Sequence, residues 1–131
     1  MAVCHEKYYS IGTMNVDTIF LTLPYPPSVN TYWGFHGHRR FLTTNAVKFK
    51  KEVARQVSLC PTKFTNERLE VVITLNPPDK RVRDIDNIAK PTLDALVSAG
   101  LFLDDGQIDR LLIVRSNVVK GGCMTVGVGK L

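Results

Sequence analysis

Two short stretches of this chain hold residue types that could do chemistry together. The segment Arg83-Asp84-Ile85-Asp86-Asn87-Ile88-Ala89-Lys90 places two aspartates, an asparagine and a lysine close along the chain, and Asp104-Asp105 follows downstream. In an extended lead-in, residues two apart point to the same side, so Asp84 and Asp86 can present both carboxylates to one cation. Lys90 stands four residues after Asp86 and shares its face if a helix begins there. Carboxylates gathered within a few ångströms repel one another unless a divalent ion sits among them. Magnesium suits such oxygens, because it is held by one or two carboxylates, keeps several waters and shares the rest of its shell with a substrate phosphate. An ion so held can make a nucleophile of a bound water and stabilise charge on phosphoryl oxygens. A lysine beside it can support the charge of the transition state or of the leaving oxygen. The plainer reading makes Asp84 and Asp86 caps of a helix, Asp104-Asp105 a turn, and the neighbouring Arg and Lys their solvated partners. Asp94, four residues beyond Lys90, is assigned to a plain i,i+4 pair, and Asp79 and Asp109 also stay outside the site.

Positioning these groups falls to a small set of elements. Ile19, Leu21 and Leu23 alternate on one face of a first strand, which the prolines at 24, 26 and 27 stop. Residues 24–42, PYPPSVNTYWGFHGHRRFL, read as a loop-rich stretch in which Tyr25, Tyr32, Trp33 and Phe35 interleave with His36, His38, Arg39 and Arg40. Thr43 or Thr44 is the expected N-cap of a helix ending before Pro61, with Ala46, Phe49, Val53 and Val57 on an apolar stripe and Lys48, Lys51 and Arg55 on a basic one. Leu69, Val71, Ile73 and Leu75 predict a second strand, ended by Pro77-Pro78. A second helix is expected over 87–99, with Ala89, Leu93, Leu96 and Val97 facing inward, Pro91 in or just past its first turn and Gly100 beyond its C-cap. A third strand over 108–115 and a fourth around 123–128, entered by a turn at Gly121-Gly122, complete the order β-α-β-α-β-β. The fold class is α/β or α+β, a single small domain over 18–131 with helices packed on a mixed β-sheet, preceded by a flexible extension over 1–17. A helix of about 13 residues is ~20 Å long, so the return of Asp104 or Asp105 to the site depends on the fold.

The 131 residues carry 17 Lys and Arg against 12 Asp and Glu, a net charge of +5 that favours an anionic partner. That charge is uneven, since residues 1–76 are +4, residues 77–109 are −3 and residues 110–131 are +4. An acidic cluster inside a basic chain is costly by self-repulsion unless something compensates it, and this one coincides with the candidate site. No apolar run approaches the ~18 residues of a membrane span and the N-terminus has no apolar leader, so a soluble, cytoplasmic protein is expected. Cys4, Cys60 and Cys123 have no CxxC spacing that could build a zinc knuckle or redox pair, and a reducing compartment is expected for them. His36 and His38 are spaced like a metal pair but have no third ligand, and are read as polar loop residues.

The segment RVRDIDNIAKPTLDALVSAGLFLDDGQID, with LPYPPSVNTYW upstream and Lys120-Gly121-Gly122 downstream, resembles the RusA family of Holliday-junction resolvases, small endodeoxyribonucleases often encoded by phages and prophages. The resemblance implies a Mg²⁺-dependent homodimer, with Mn²⁺ able to substitute, that needs no small-molecule cofactor. Its partner would be four-way junction DNA, bound by shape and nicked on two opposing strands. Position by position, it implies Asp84, Asp86 and Asp105 as catalytic, metal-binding carboxylates and Lys90 as a catalytic residue of base type. Asp104 and Asn87 are implied as their supporting neighbours. Pro26, Pro27, Ser28 and Asn30 match the opening motif and would shape the loop beside the site. Arg39, Arg40, Lys48, Lys51, Arg55, Arg81 and Arg83 would contact DNA phosphates, giving salt-dependent affinity while junction geometry selects the target. Tyr32 and Trp33 are expected in core or interface packing rather than stacked on unpaired bases.

Two readings compete. A restriction-type nuclease, suggested by Pro78-Asp79 followed by a lysine, wants an acid two residues before the catalytic lysine, and Ile88 stands there before Lys90. A non-catalytic basic DNA-binding protein with structural aspartates predicts salt-sensitive binding without metal-dependent turnover.

Overall fold

Alternating apolar residues build the strands, and β-branched and leucine side chains dominate the buried face they share. The computed structural model describes residues 18–131, so the extension expected over 1–17 lies outside the described residues. Strands β1 (Ile19–Pro24), β4 (Leu69–Asn76), β5 (Ile108–Arg115) and β6 (Cys123–Lys130) form one sheet in the spatial order β1-β6-β4-β5. β6 runs antiparallel to both β1 and β4, whereas β4 and β5 are parallel. The register sets Leu21 beside Val126, Val126 beside Ile73, and Ile73 beside Ile113, so one row of apolar side chains crosses the whole sheet.

That face carries α2 (Thr44–Ser58) and α3 (Ala89–Ser98), which pack against each other. Ala46, Phe49, Val53 and Val57 form the buried stripe of α2, as their spacing predicts. Leu96, Leu101 and Phe102 are fully buried against the sheet residues. Truncating one of these, as in Leu96→Ala, is expected to cost about 2–5 kcal/mol from lost burial and the cavity left behind. Thr43 caps α2, its side-chain oxygen accepting from the Ala46 amide at 3.3 Å while its hydroxyl donates to the Thr31 carbonyl at 2.9 Å. One side chain therefore starts the helix and ties the preceding loop to it.

Several elements differ from the pattern-based reading. In 24–42 a one-turn helix, α1 (Val29–Tyr32), leads into an antiparallel ribbon of β2 (Trp33–His36) and β3 (Arg39–Leu42). Gly37, at φ 63, opens the two-residue loop between them, a glycine-first pattern suited to tight hairpins. The chain order is thus β-α-β-β-α-β-α-β-β rather than β-α-β-α-β-β. The helix expected over 87–99 begins at Ala89, after a 3₁₀ turn at Ile85–Ile88. Pro91 lies in its first turn, where the amide it lacks would have no intrahelical acceptor. At the other end Gly100, at φ 85, lets the Leu101 amide reach the Leu96 carbonyl and its own amide reach Val97, closing the helix as the sequence anticipates. Cys60 is a free thiol. Among the described residues no helix is long and apolar enough to cross a membrane.

Candidate active site

The segment leaving β4 turns back on itself before the 3₁₀ turn. Arg83 is the hinge of this bend: its guanidinium donates to the Asp79 carboxylate at 2.7 Å, and its carbon lies 5.9 Å from the Tyr25 ring centroid. The Arg115 guanidinium donates to the Arg83 carbonyl, fastening the bend to the end of β5. Arg83 and the Arg81 amide hold the Asp79 carboxyl down at about 2, well below the usual carboxylate range. These contacts set Asp84 and Asn87 in the lining of a cavity of about 700 Å³ whose other walls include Tyr25, Pro26, Ser28, Thr31, Asn45, Pro78 and Arg83 itself. Gly122 closes one side of this wall, since a Cβ there would stand 2.9 Å from Tyr25 Cβ and 3.1 Å from Pro78 Cδ.

Along α3 lies a second cavity of about 350 Å³, lined by Trp33, Leu42, Lys50, Lys90, Asp94, Asp104 and Asp105, among others. Lys90 Nζ is 3.1 Å from Asp94 Oδ1 and 3.5 Å from Asp105 Oδ2. The pair with Asp94, and then Asp105, raises the Lys90 pKa, so the side chain is an ammonium at neutral pH. The crossover from β4 to the parallel strand β5 makes this meeting possible, because it lays the Asp104–Asp105 turn alongside α3. Gln107 pins that turn: its side-chain oxygen accepts from the Leu103 and Asp104 amides, and its nitrogen donates to the Thr65 and Glu67 carbonyls. Sequence reasoning missed Gln107 and Asn45, since an isolated amide side chain carries no periodicity or motif.

The structure brings Lys90 and Asp105 together, and sets Asp84 with Asn87 at the other cavity. Asp86 lines neither. Among the described residues no group of three or more metal-ligating side chains is already gathered. The ion pairs nonetheless separate the acids sharply. Glu52 pairs with Arg55, Glu67 with Lys130, Glu70 with Arg110, Asp79 with Arg81 and Arg83, Asp94 and Asp105 with Lys90, and Asp109 with Arg68. Among the described residues, only Asp84, Asp86 and Asp104 have no basic side chain within 4.0 Å. Asp79, Asp94 and Asp109, left outside the site on sequence grounds, are all paired structurally. Exposed carboxylates without a cation, in a chain of net charge +5, are hard oxygen donors of the kind a divalent ion such as magnesium prefers, although they are not gathered about one point among the described residues.

The basic residues divide as well. Arg39, Arg40, Lys48 and Lys51 are exposed, whereas Arg81 pairs with Asp79 at 3.4 Å, Arg55 is held by Glu52 at 2.6 Å and Arg83 is part of the bend. Tyr32 is buried in the core and meets Trp33 edge-on at 5.6 Å, as packing residues do.

Comparison with known proteins supplies the class to which such a molecule belongs. Residues 24–126 match the family described as Endodeoxyribonuclease RusA, and the chain belongs to that family. Among its relatives, the protein named crossover junction endodeoxyribonuclease rusA of Enterobacteria phage HK97 is 39% identical over 112 residues, spanning 83% of this chain and 92% of the relative. The protein of the same name from Enterobacteria phage 82 is 34% identical, over 82% of this chain and 90% of the relative. The Escherichia coli K12 protein of that name is 33% identical with the same coverage.

Proposed function

We propose that the protein is a Mg²⁺-dependent, structure-selective endodeoxyribonuclease that resolves four-way DNA junctions by paired symmetric nicks, in DNA recombination and repair. The observation that supports this reading is that Asp84, Asp86 and Asp104 have no basic side chain beside them while every other described acid is paired, and that Lys90 meets Asp105. The names of the phage and bacterial relatives support the substrate. Asp84, Asp86 and Asp105 would hold the ion, with Asn87 and Asp104 supporting them. Bound there, the ion would supply an activated water and a counter-charge for the phosphoryl oxygens. Lys90, kept cationic by Asp94 and Asp105, would place positive charge where the leaving oxygen develops its negative charge. Arg39, Arg40, Lys48 and Lys51 would hold the phosphate backbone without reading sequence.

Two nicks related by two-fold symmetry require two such sites, and a C₂ homodimer supplies them. The test is cleavage of a synthetic four-way junction and of a matched linear duplex, with Mg²⁺ and with EDTA. Junction nicks that appear at symmetric positions and vanish with EDTA are expected. Equal cutting of both substrates sinks the proposal, and salt-sensitive binding with no metal-dependent product favours a binding protein instead. Asp84→Asn should abolish cleavage while junction binding persists, because removing a negative charge does not weaken contact with a polyanion. Loss of binding in a folded Asp84→Asn variant counts against its catalytic role.

A further inference from the structure

The β2–β3 ribbon stands at the rim of the Lys90 cavity. Trp33 and Leu42, opposite each other in register, line that cavity together with Lys90, Asp104 and Asp105. Side chains two apart on a strand share a face, so the next pair out on the same face is Phe35 and Arg40. The Arg40 guanidinium carbon lies 3.9 Å from the Trp33 ring centroid, in keeping with that shared face. One continuous surface therefore runs from the cavity wall to Phe35, a residue 71% exposed. Phe41, on the opposite face, instead lies over Gly34, where an added Cβ would come within 2.5 Å of its ring. Beyond the acids of the cavity itself, the ribbon's own stretch of chain is cationic or neutral. No acid stands between Asp17 and Glu52, and His36, His38, Arg39 and Arg40 flank the tip.

We propose that Phe35 stacks on an unpaired or unstacked base at the branch point of junction DNA, with Arg39 and Arg40 on the flanking phosphates. The inference rests on the junction-endonuclease reading and names the side chain that meets the branch point. An aromatic ring suits an enzyme that selects by shape, because every base offers a π-face and stacking is tolerant of sequence. Bases inside a continuous duplex are already stacked on both sides, so the same ring gains little there. The contact thus adds selectivity that backbone contacts alone lack.

The experiment compares wild type, Phe35→Ala and Phe35→Trp, with thermal melts to establish that each is folded. The probes are a four-way junction carrying 2-aminopurine at the branch point and a linear duplex with the same label, both in EDTA. Wild type should raise the fluorescence of the junction and leave that of the duplex unchanged. Phe35→Ala should lose the fluorescence change and bind the junction about tenfold more weakly, within the range for one lost base stack, with duplex affinity unchanged. Phe35→Trp should retain the junction affinity. Equal junction affinity and an equal fluorescence change in Phe35→Ala overturn the proposal. A Phe35→Ala protein that sediments at half the wild-type mass also overturns it, because the ring would then belong to a contact between copies. Wild type showing no preference for junction over duplex defeats the junction reading itself, and does so before any variant is compared.

Discussion

Replacing Gln107 by alanine removes the residue that fixes the Asp104–Asp105 turn without touching a proposed ligand. Its side chain accepts two amide hydrogens, each at 2.9 Å, and donates to two carbonyls at 3.0 and 2.9 Å. At about 0.5–1.5 kcal/mol net for each bond, the four contacts sum to roughly 2–6 kcal/mol. Leu103, Asp104, Thr65 and Glu67 lie near the surface, so water can satisfy part of what is lost, and the expected destabilisation is about 2–3 kcal/mol. Urea unfolding reads this directly: with a slope of about 1–3 kcal/mol/M, the midpoint should fall by about 0.7–3 M and the slope should not change. Cleavage at saturating junction should also need more Mg²⁺ for half-maximal rate, since the turn no longer holds Asp105 in place. Gln107→Glu is the finer probe, because it keeps the acceptor for Leu103 and Asp104 but sets a carboxylate oxygen against the Thr65 and Glu67 carbonyls. A stability change below about 0.5 kcal/mol, the size of an ordinary surface substitution, refutes the anchoring role. Unchanged metal dependence in folded Gln107→Ala refutes the link between the turn and the site.

Other outcomes follow from the same geometry. Gly122→Ala should cost more than about 1 kcal/mol, because φ 70 disfavours a side chain and the new Cβ would meet Tyr25 and Pro78; an unchanged Tm refutes this. The Asp79 carboxyl, held at about 2 mainly by Arg83, has a folded pKa below its unfolded one. Its small contribution to stability is therefore present above the unfolded value and lost as pH falls through about 2. Carboxyl NMR should find Asp79 still ionised at about pH 3, and a midpoint near ~4 contradicts the pairing. Lys51→Ala should reduce the slope of log affinity against log salt by ~0.9, whereas Arg55→Ala should change it less because Glu52 already occupies that guanidinium. Equal effects of the two substitutions would falsify that division of the basic stripe.

The sequence was most legible where one periodicity ran uninterrupted. β1, β4, β5, β6 and α2 all follow from alternating or helical apolar spacing, and Gly100 and Gly121–Gly122 mark their turns through positive φ. Short elements were lost. Trp33 and Phe35 alternate with Gly34 and His36 ahead of Gly37-His38, a hairpin signal masked by the density of polar and aromatic residues in 24–42. The start of α3 was blurred because the 3₁₀ turn continues the apolar pattern in Ile85 and Ile88. For the site, local spacing named the aspartates, but it could not pair Lys90 with Asp105, fifteen positions away, without the parallel crossover. Nor could it sort Arg83 and Arg55 from the free cations, since that depends on which carboxylate each side chain meets.

The place of β6 has a consequence for how the enzyme comes into being. This last strand lies between β1 and β4, so until Cys123–Lys130 has been synthesised the first strand has no neighbour in the sheet. The crossover bearing Asp84, Lys90 and Asp105 leaves the ribosome earlier, but half of its supporting layer is still missing. A partly made chain, already basic and able to meet nucleic acid, thus lacks the rigid floor on which its carboxylates are set. Entry of β1 into the sheet and closure of the floor beneath the crossover therefore fall at one folding step, the insertion of β6 between β1 and β4.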